Sequence, residues 1–264
     1  MAAENVDILL TMQGDLKRAL GKPHGDRRWA MLIDTRKCVN CRACTVGCIA
    51  ENVLPPGVVY RPVFEEERGR FPKVVRTFIP RPCMHCDRPP CVGVCPKRGK
   101  ATHKSAEGVS AGLVLIDYAE CIRCDKCIKV CPYRARSRDE GKYFSEKAPF
   151  VPEYEKRPSE EYGKAWPREP QAIPAGTVRK CHFCLHRVKR GMMPMCTTTC
   201  VGRATYFGDL NYPEGLIARV RKANTVVTIK SVSDPDPAVG RVAFGGIMNQ
   251  PRVYYILEGA RGEK

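Results

Sequence analysis

An α+β fold assembled as two packed metal-binding modules is predicted by three observations. All sixteen cysteines fall into four tight groups, Cys38/Cys41/Cys44/Cys48, Cys83/Cys86/Cys91/Cys95, Cys121/Cys124/Cys127/Cys131 and Cys181/Cys184/Cys196/Cys200. Short apolar runs of strand length lead into these groups, and stretches of one or two helical turns follow their later cysteines. The unit is also repeated, because Met31-Leu-Ile-Asp34 and Val114-Leu-Ile-Asp117 are each separated by three residues from their first cysteine.

The strands expected are 30–33, 74–79, 113–116 and 204–207, and the short helices 45–51 and 128–130. Four groups of four thiols are ligand sets for four metal centres. A disulfide framework is a poor rival, since such frameworks dominate small secreted domains and a chain of 264 residues can bury a core. Zinc is a better one, as paired C-x2-C segments make zinc ribbons, and the fourth group taken alone suits either metal. The third group decides the element. Cys121-Ile-Arg-Cys124-Asp-Lys-Cys127-Ile-Lys-Val-Cys131-Pro132 is the C-x2-C-x2-C-x3-C-P run of bacterial ferredoxins, whose last cysteine serves the other cluster of a pair.

The second group repeats that logic with a longer gap before its third thiol and also ends in Cys-Pro, where proline stops the helix. The first group has the spacing, with Ile49 in place of the proline. The modules are therefore ferredoxin-like and bind clusters two by two. Spacing leaves open which groups are partners.

The remaining segments divide the chain further. An N-terminal extension, 1–29, precedes an interleaved core made of 30–135 and 177–212. Residues 136–176 form an insertion rich in proline and aromatics, and 213–264 a C-terminal cap or docking segment. Aromatics in a proline-rich arm are costly to leave in water, so the arm reads as a strap against a partner subunit, with a solvated loop as the plainer alternative. Apolar residues at helical intervals predict a helix over 214–223, and 225–229 and 253–257 are strand-like.

A formal charge of +17 ordinarily suggests nucleic acid or acidic lipid. Here four oxidised cubane cores of about +2 each, with sixteen thiolates, contribute about −8 and leave about +9. Arg42, Arg123, Lys126, Arg179 and Lys180 stand near ligands and are expected to balance that charge, so no nucleic-acid partner is inferred. No apolar stretch approaches the roughly 20 residues of a membrane span. The pair Arg27-Arg28 precedes an apolar run too short for a twin-arginine leader, and no signal peptide is expected. His85, His182 and His186 lie in or beside C-x2-C pairs and could be metal ligands. Cysteine already fills all sixteen ligand places, so hydrogen bonding to cluster sulfur or tuning of potential is the expected role. No nucleophile–base pair, phosphate-binding glycine loop or Walker motif is present, so the chain is not expected to catalyse a reaction itself.

The four groups in this order, with Met31-Leu-Ile-Asp34, Cys83-Met-His-Cys86-Asp-Arg-Pro-Pro-Cys91, Lys180-Cys181-His-Phe-Cys184-Leu-His-Arg187, Met193-Pro-Met-Cys196 and Ala204-Thr-Tyr-Phe-Gly-Asp-Leu210, carry a resemblance. Over roughly residues 28 to 212 the chain resembles the iron–sulfur electron-transfer subunits of the dimethyl-sulfoxide-reductase family of molybdenum enzymes. It departs from that pattern at the insertion and the N-terminal extension. The resemblance implies that outer groups pair with each other and inner groups likewise. One cluster would take Cys38, Cys41, Cys44 and Cys200, the next Cys48, Cys181, Cys184 and Cys196, a third Cys83, Cys86, Cys91 and Cys131, and the fourth Cys95, Cys121, Cys124 and Cys127. Some relatives carry tryptophan at the position of Cys124 and hold a three-iron cluster, so cysteine there implies four [4Fe–4S] clusters.

The implied partners are a large molybdopterin-type catalytic subunit next to the first cluster and an integral membrane, quinone-reactive subunit next to the fourth. The implied function is electron relay between them in anaerobic respiration. A formate dehydrogenase or hydrogenase complex is the runner-up, and a zinc-bearing nucleic-acid or scaffold protein a distant alternative. Several relatives leave the cell interior with an exported partner, which implies the outer, periplasmic face of the membrane, with the cytoplasmic face as the alternative.

Overall fold

Trp29–Asp34 is buried at every position, as a strand covered on both faces must be. It is the centre of a three-stranded sheet in a computed structural model that describes residues 7–97, 99–245 and 248–258. Thr205–Asp209 pairs with it antiparallel, Met31 opposite Phe207, and Val253–Ile256 pairs parallel on the other side, Met31 opposite Val253. The sheet thus joins the segment before the first cysteine group to the segment after the last. It also takes its third strand from the C-terminal region.

The helix Ile8–Leu20 lies against Thr205–Asp209. Asp7 caps it by accepting from the Leu9 N–H at 2.9 Å, and Lys17 and Arg18 in its last turn complement the helix dipole. Met12, Leu16 and Ala19, spaced four and three residues apart, form its buried stripe. The N-terminal region therefore contributes to the main hydrophobic core, a contribution not read from the sequence.

Most of the expected strands and helices are present, with bounds one or two residues from those expected. The segment 74–79 lies in Lys73–Pro80, which pairs with Val63–Arg70 in a long hairpin. That partner strand is hidden in the sequence by its run of glutamates and arginines. The segment expected at 113–116 is the shorter strand Val114–Ile116, paired with Thr102–Lys104. The helix expected at 45–51 is Ala43–Asn52, that at 128–130 is Lys126–Lys129, and that at 214–223 is Leu216–Ala223. The strand expected at 225–229 begins later, as Ile229–Val232, with Val227 making a single bridge to Tyr255. The result is a mixed α and β fold in which many of the ligand-bearing helices are four or five residues long.

The proline-rich segment is rooted in the chain's own core. Its hairpin, Ser159–Glu161 with Lys164–Trp166, buries Ser159 and Glu161 completely. The Glu161 carboxylate accepts from Arg179 Nη2 at 2.8 Å and Tyr60 Oη at 2.7 Å, and also from Tyr118. Arg179 reaches Asp139 Oδ2 through Nη1 at 2.9 Å. Ser159 Oγ donates to the Asn52 carbonyl at 2.7 Å, tying the hairpin to the end of Ala43–Asn52. Tyr143, Tyr162 and Trp166 are partly buried, whereas Phe144, Phe150 and Tyr154 face outward.

Arg179→Met would leave Glu161 and Asp139 buried without their shared cation. The expected loss is about 3–5 kcal/mol of stability, read as a lower thermal midpoint of the cluster-loaded protein. An unchanged midpoint would contradict the assignment of Arg179 as the anchor of this segment.

Candidate metal centres

One backbone turn recurs at all four cysteine groups. In each C-x2-C segment the residue before the second cysteine is left-handed: Asn40 (φ 54°), His85 (φ 41°), Arg123 (φ 61°) and Phe183 (φ 57°). None is glycine, and the conformation costs an L-residue about 1–2 kcal/mol. Its recurrence at one position marks a shared demand of the sites. The turn aims main-chain N–H groups at sulfur. Phe183 N–H donates to Cys181 Sγ at 3.4 Å, and the Asn40 backbone opposes the rise that burial imposes on the Cys38 thiol. Arg42 (φ 56°) and Asp125 (φ 55°), also left-handed, then start the helices Ala43–Asn52 and Lys126–Lys129, which present Cys44, Cys48 and Cys127.

Helix packing brings the groups together in crossed order. Ala43–Asn52 packs on Met195–Thr198, so the first group meets the fourth; Pro90–Gly93 packs on Lys126–Lys129, so the second meets the third. Gly47 permits the first contact, because a Cβ there would stand 3.0 Å from Thr199 Cγ2.

The thiol surroundings follow the same order. Burial raises the Cys38 thiol, with Cys44 and Cys200 adding to the rise. Burial raises Cys48 well above its usual range, with Cys184, Cys181 and Cys196 adding. Cys86 is likewise raised by burial and then by Cys83, Cys91 and Cys131, and these four thiols line a single cavity with Tyr133 and Arg136. Cys127 is raised by burial, opposed by Arg136, with Cys91 and Cys121 adding. Cys95 is buried and Cys124 exposed, at the inner pair of groups.

The donor set suits iron–sulfur clusters. None of the sixteen cysteines is disulfide-bonded. The four thiols around the cavity stand about a volume, as the corners of a cube require. Burial disfavours thiolate charge, and iron displaces the thiol proton while supplying the compensating positive charge. Hydrogen bonds to sulfur are also in place. Asn52 Nδ2 donates to Cys48 Sγ at 3.5 Å and Cys184 Sγ at 3.9 Å, Ala204 N–H to Cys200 Sγ at 3.2 Å, and Arg136 Nη2 to Cys91 Sγ at 3.0 Å.

The cations differ in part from those expected. Lys180 is buried among Cys83, Cys181 and Cys91. Arg42, Arg123 and Lys126 are exposed, and Arg179 is committed to carboxylates. Arg61, Arg81 and Arg136 face thiolates instead. Arg81 stands two residues ahead of Cys83, a proximity legible in the sequence; nothing in the spacing marks Arg61.

The histidines bond to groups other than sulfur. His85 Nδ1 accepts from the Val114 N–H at 3.2 Å, leaving Nε2 to donate to the Cys181 carbonyl at 3.1 Å. His182 Nδ1 accepts from the Leu185 N–H at 3.0 Å, and its Nε2 donates to Asn52 Oδ1 at 3.0 Å. Burial depresses the His182 ring to about 3, so it is neutral. It orients Asn52, and Asn52 is the side chain that reaches the sulfurs. His186 Nε2 lies 2.8 Å from Glu51 Oε1.

Residues 74–157 and 167–210 match the model of the 4Fe-4S dicluster domain. The chain is 51% identical to the B chain of selenate reductase from Mesobacillus selenatarsenatis, over 89% of its own length and 79% of that protein. It is 32% identical to the arsenate respiratory reductase iron–sulfur subunit of Shewanella sp., over 87% of this chain and 96% of the other. With the iron–sulfur cluster-binding subunit of menaquinone reductase from Nitratidesulfovibrio vulgaris, identity is 32% over 80% of this chain and 87% of the other. Crossed thiol groups, sulfur-directed N–H donors and these relatives converge: the chain belongs to the family of iron–sulfur electron-transfer subunits of dimethyl-sulfoxide-reductase-type respiratory reductases, and is a non-catalytic member whose sixteen cysteines fit four [4Fe–4S] clusters.

Proposed function

We propose that this subunit carries electrons between a large molybdopterin-type catalytic subunit and an integral membrane, quinone-reactive subunit of an anaerobic respiratory complex. When bound, the four [4Fe–4S] clusters supply one-electron centres of graded potential. The ligand sets in this reading are Cys38, Cys41, Cys44 and Cys200; Cys48, Cys181, Cys184 and Cys196; Cys83, Cys86, Cys91 and Cys131; and Cys95, Cys121, Cys124 and Cys127. Residues 30–135 and 177–212 form the two interleaved ferredoxin-like modules, with 1–29, 136–176 and 213–264 as additions around them.

The observation that carries the reading is where thiols reach the surface. Cys41 and Cys124 are the exposed members of the sixteen, and they belong to the first and fourth sets, whereas all four cysteines of the second set are buried. A relay needs terminal centres near its partners and inner centres shielded from water.

Each terminal set has a distinct surface. Val39, Val46 and Val201 are 64%, 65% and 70% exposed, and each lies within two residues of a first-set ligand. An apolar groove lined by Val46, Ile49, Val53, Leu54, Phe144 and Tyr154 extends that face onto the proline-rich arm. An apolar patch of this kind suits the centre of a stable protein interface, and is assigned to the catalytic subunit. Around Cys124 the exposed residues are Ile122, Arg123 and Lys126, a more basic surface assigned to the membrane subunit.

The menaquinone reductase relative supports the quinone link, and the reductase relatives favour this reading over a formate dehydrogenase or hydrogenase. Among the described residues no helix is long and apolar enough to cross a membrane. The complex is assigned to the outer face by export with a partner. Val201→Glu, loaded with the same iron as the parent, is expected to slow electron exchange with the catalytic subunit about tenfold or more, the effect of a buried charge worth about 2 kcal/mol at an interface centre. Ile122→Glu should instead slow exchange with quinol. Unchanged rates in both variants would contradict the two-ended relay.

A further inference from the structure

Between successive thiolate sets the structure places a buried cation, and this deepens the relay reading on which it rests. Arg136, 4% exposed, donates from Nη2 to Cys91 Sγ of the third set at 3.0 Å and faces Cys127 of the fourth, whose helix Lys126–Lys129 packs on Pro90–Gly93. Arg61, 1% exposed, faces Cys44 of the first set and Cys196 of the second, and its carbonyl accepts from Thr45 Oγ1, beside Cys44, at 2.6 Å. Its guanidinium is held by Thr205 Oγ1, 2.8 Å from Nη2, and by Met31 Sδ, 3.0 Å from Nη1. Its Nε is buried with no hydrogen-bond partner among the described residues, a donor left over for cluster sulfur. Lys180, fully buried, stands between Cys181 of the second set and Cys83 of the third, with Nζ donating to the Cys181 carbonyl at 2.9 Å.

We propose that Arg61 and Arg136 are shared electrostatic bridges, each holding up the reduction potentials of the two clusters it lies between. Reduction of either cluster adds one electron, hence one negative charge, beside a guanidinium that cannot be deprotonated in a protein. The charge is shielded from water, so its interaction with the added electron is stronger than at the surface. Sharing one cation between two centres shifts both in the same direction and keeps the step between them small. These are positioning residues for charge, with cysteine remaining the sole ligand type.

The test is a potentiometric titration, followed by electron paramagnetic resonance, of the full chain purified anaerobically with its clusters. Iron and sulfide are counted before each titration. Arg136→Gln keeps an N–H donor but removes the charge, and is expected to lower two midpoints together, each by a tenfold change in reduction equilibrium or more, about 59 mV for a one-electron couple. One of the two is the centre altered by Cys124→Ala. Arg61→Gln should lower the other two, and Arg136→Lys should restore the parent values. A shift confined to one midpoint, a uniform shift of all four, or parent values in both glutamine variants would overturn the inference. Should one glutamine variant not load, the other carries the same test through its own pair. A parent protein that itself lacks four clusters would instead overturn the relay reading.

Discussion

Removing the iron is expected to unfold the protein. The helices at the cysteine groups, Pro90–Gly93, Lys126–Lys129, Met195–Thr198 and Leu185–Lys189, which follows Cys184, are far shorter than a helix that persists alone. Seven non-glycine residues at the ligand turns, Asn40, Arg42, His85, Arg123, Asp125, Phe183 and Cys184, hold left-handed backbones. At about 1 kcal/mol or more each, the sum rivals the roughly 5–15 kcal/mol that stabilises a whole domain. Ligand cysteines are also members of the core, Cys44, Cys48, Cys86, Cys131, Cys181 and Cys196 among them. The bonds to iron must offset these costs, so binding energy here is folding energy. After oxidative chelation the near-ultraviolet circular dichroism and the cooperative thermal transition should both be lost. A stripped protein that melts like the loaded one would contradict a fold organised by its metal centres.

The second large effect is expected at Cys124. It is an exposed thiol, and in the proposed fourth set its removal would open one cluster corner to water while leaving the turn and helix of the other thiols in place. Cys124→Ala should convert one [4Fe–4S] cluster to a three-iron form or lose it altogether, lowering iron from about sixteen to about fifteen or twelve per chain. The other three centres should keep their spectra. Collapse of all four, or an unchanged iron count, would refute the assignment of Cys124 to a single terminal set.

Local signals were legible because they are local. Met31-Leu-Ile-Asp34 announced a strand, and the cysteine spacing announced the metal. The N-terminal helix was harder, since its stripe of Met12, Leu16 and Ala19 is interrupted by Gly14 and flanked by polar residues. The crossed meeting of groups came from family resemblance, because no spacing rule joins Ala43–Asn52 to Met195–Thr198; the enabling residue, Gly47, looks like any helical glycine. The charge partners were least legible. Arg179 adjoins Cys181 in sequence yet bonds to Glu161 and Asp139, whereas Arg61 is distant from every cysteine in sequence and lies against two sets in space. Burial of a charge is decided by what long-range packing brings to it, and charge composition alone carries no address. The histidines illustrate the same point: their place inside C-x2-C pairs suggested contact with sulfur, and the fold turned His182 toward Asn52 instead.

The most direct test of four clusters on sixteen thiolates is chemical analysis of anaerobically purified protein. The expected preparation is brown, with about sixteen iron and about sixteen acid-labile sulfide per chain. A colourless protein carrying zinc and no sulfide would contradict the account.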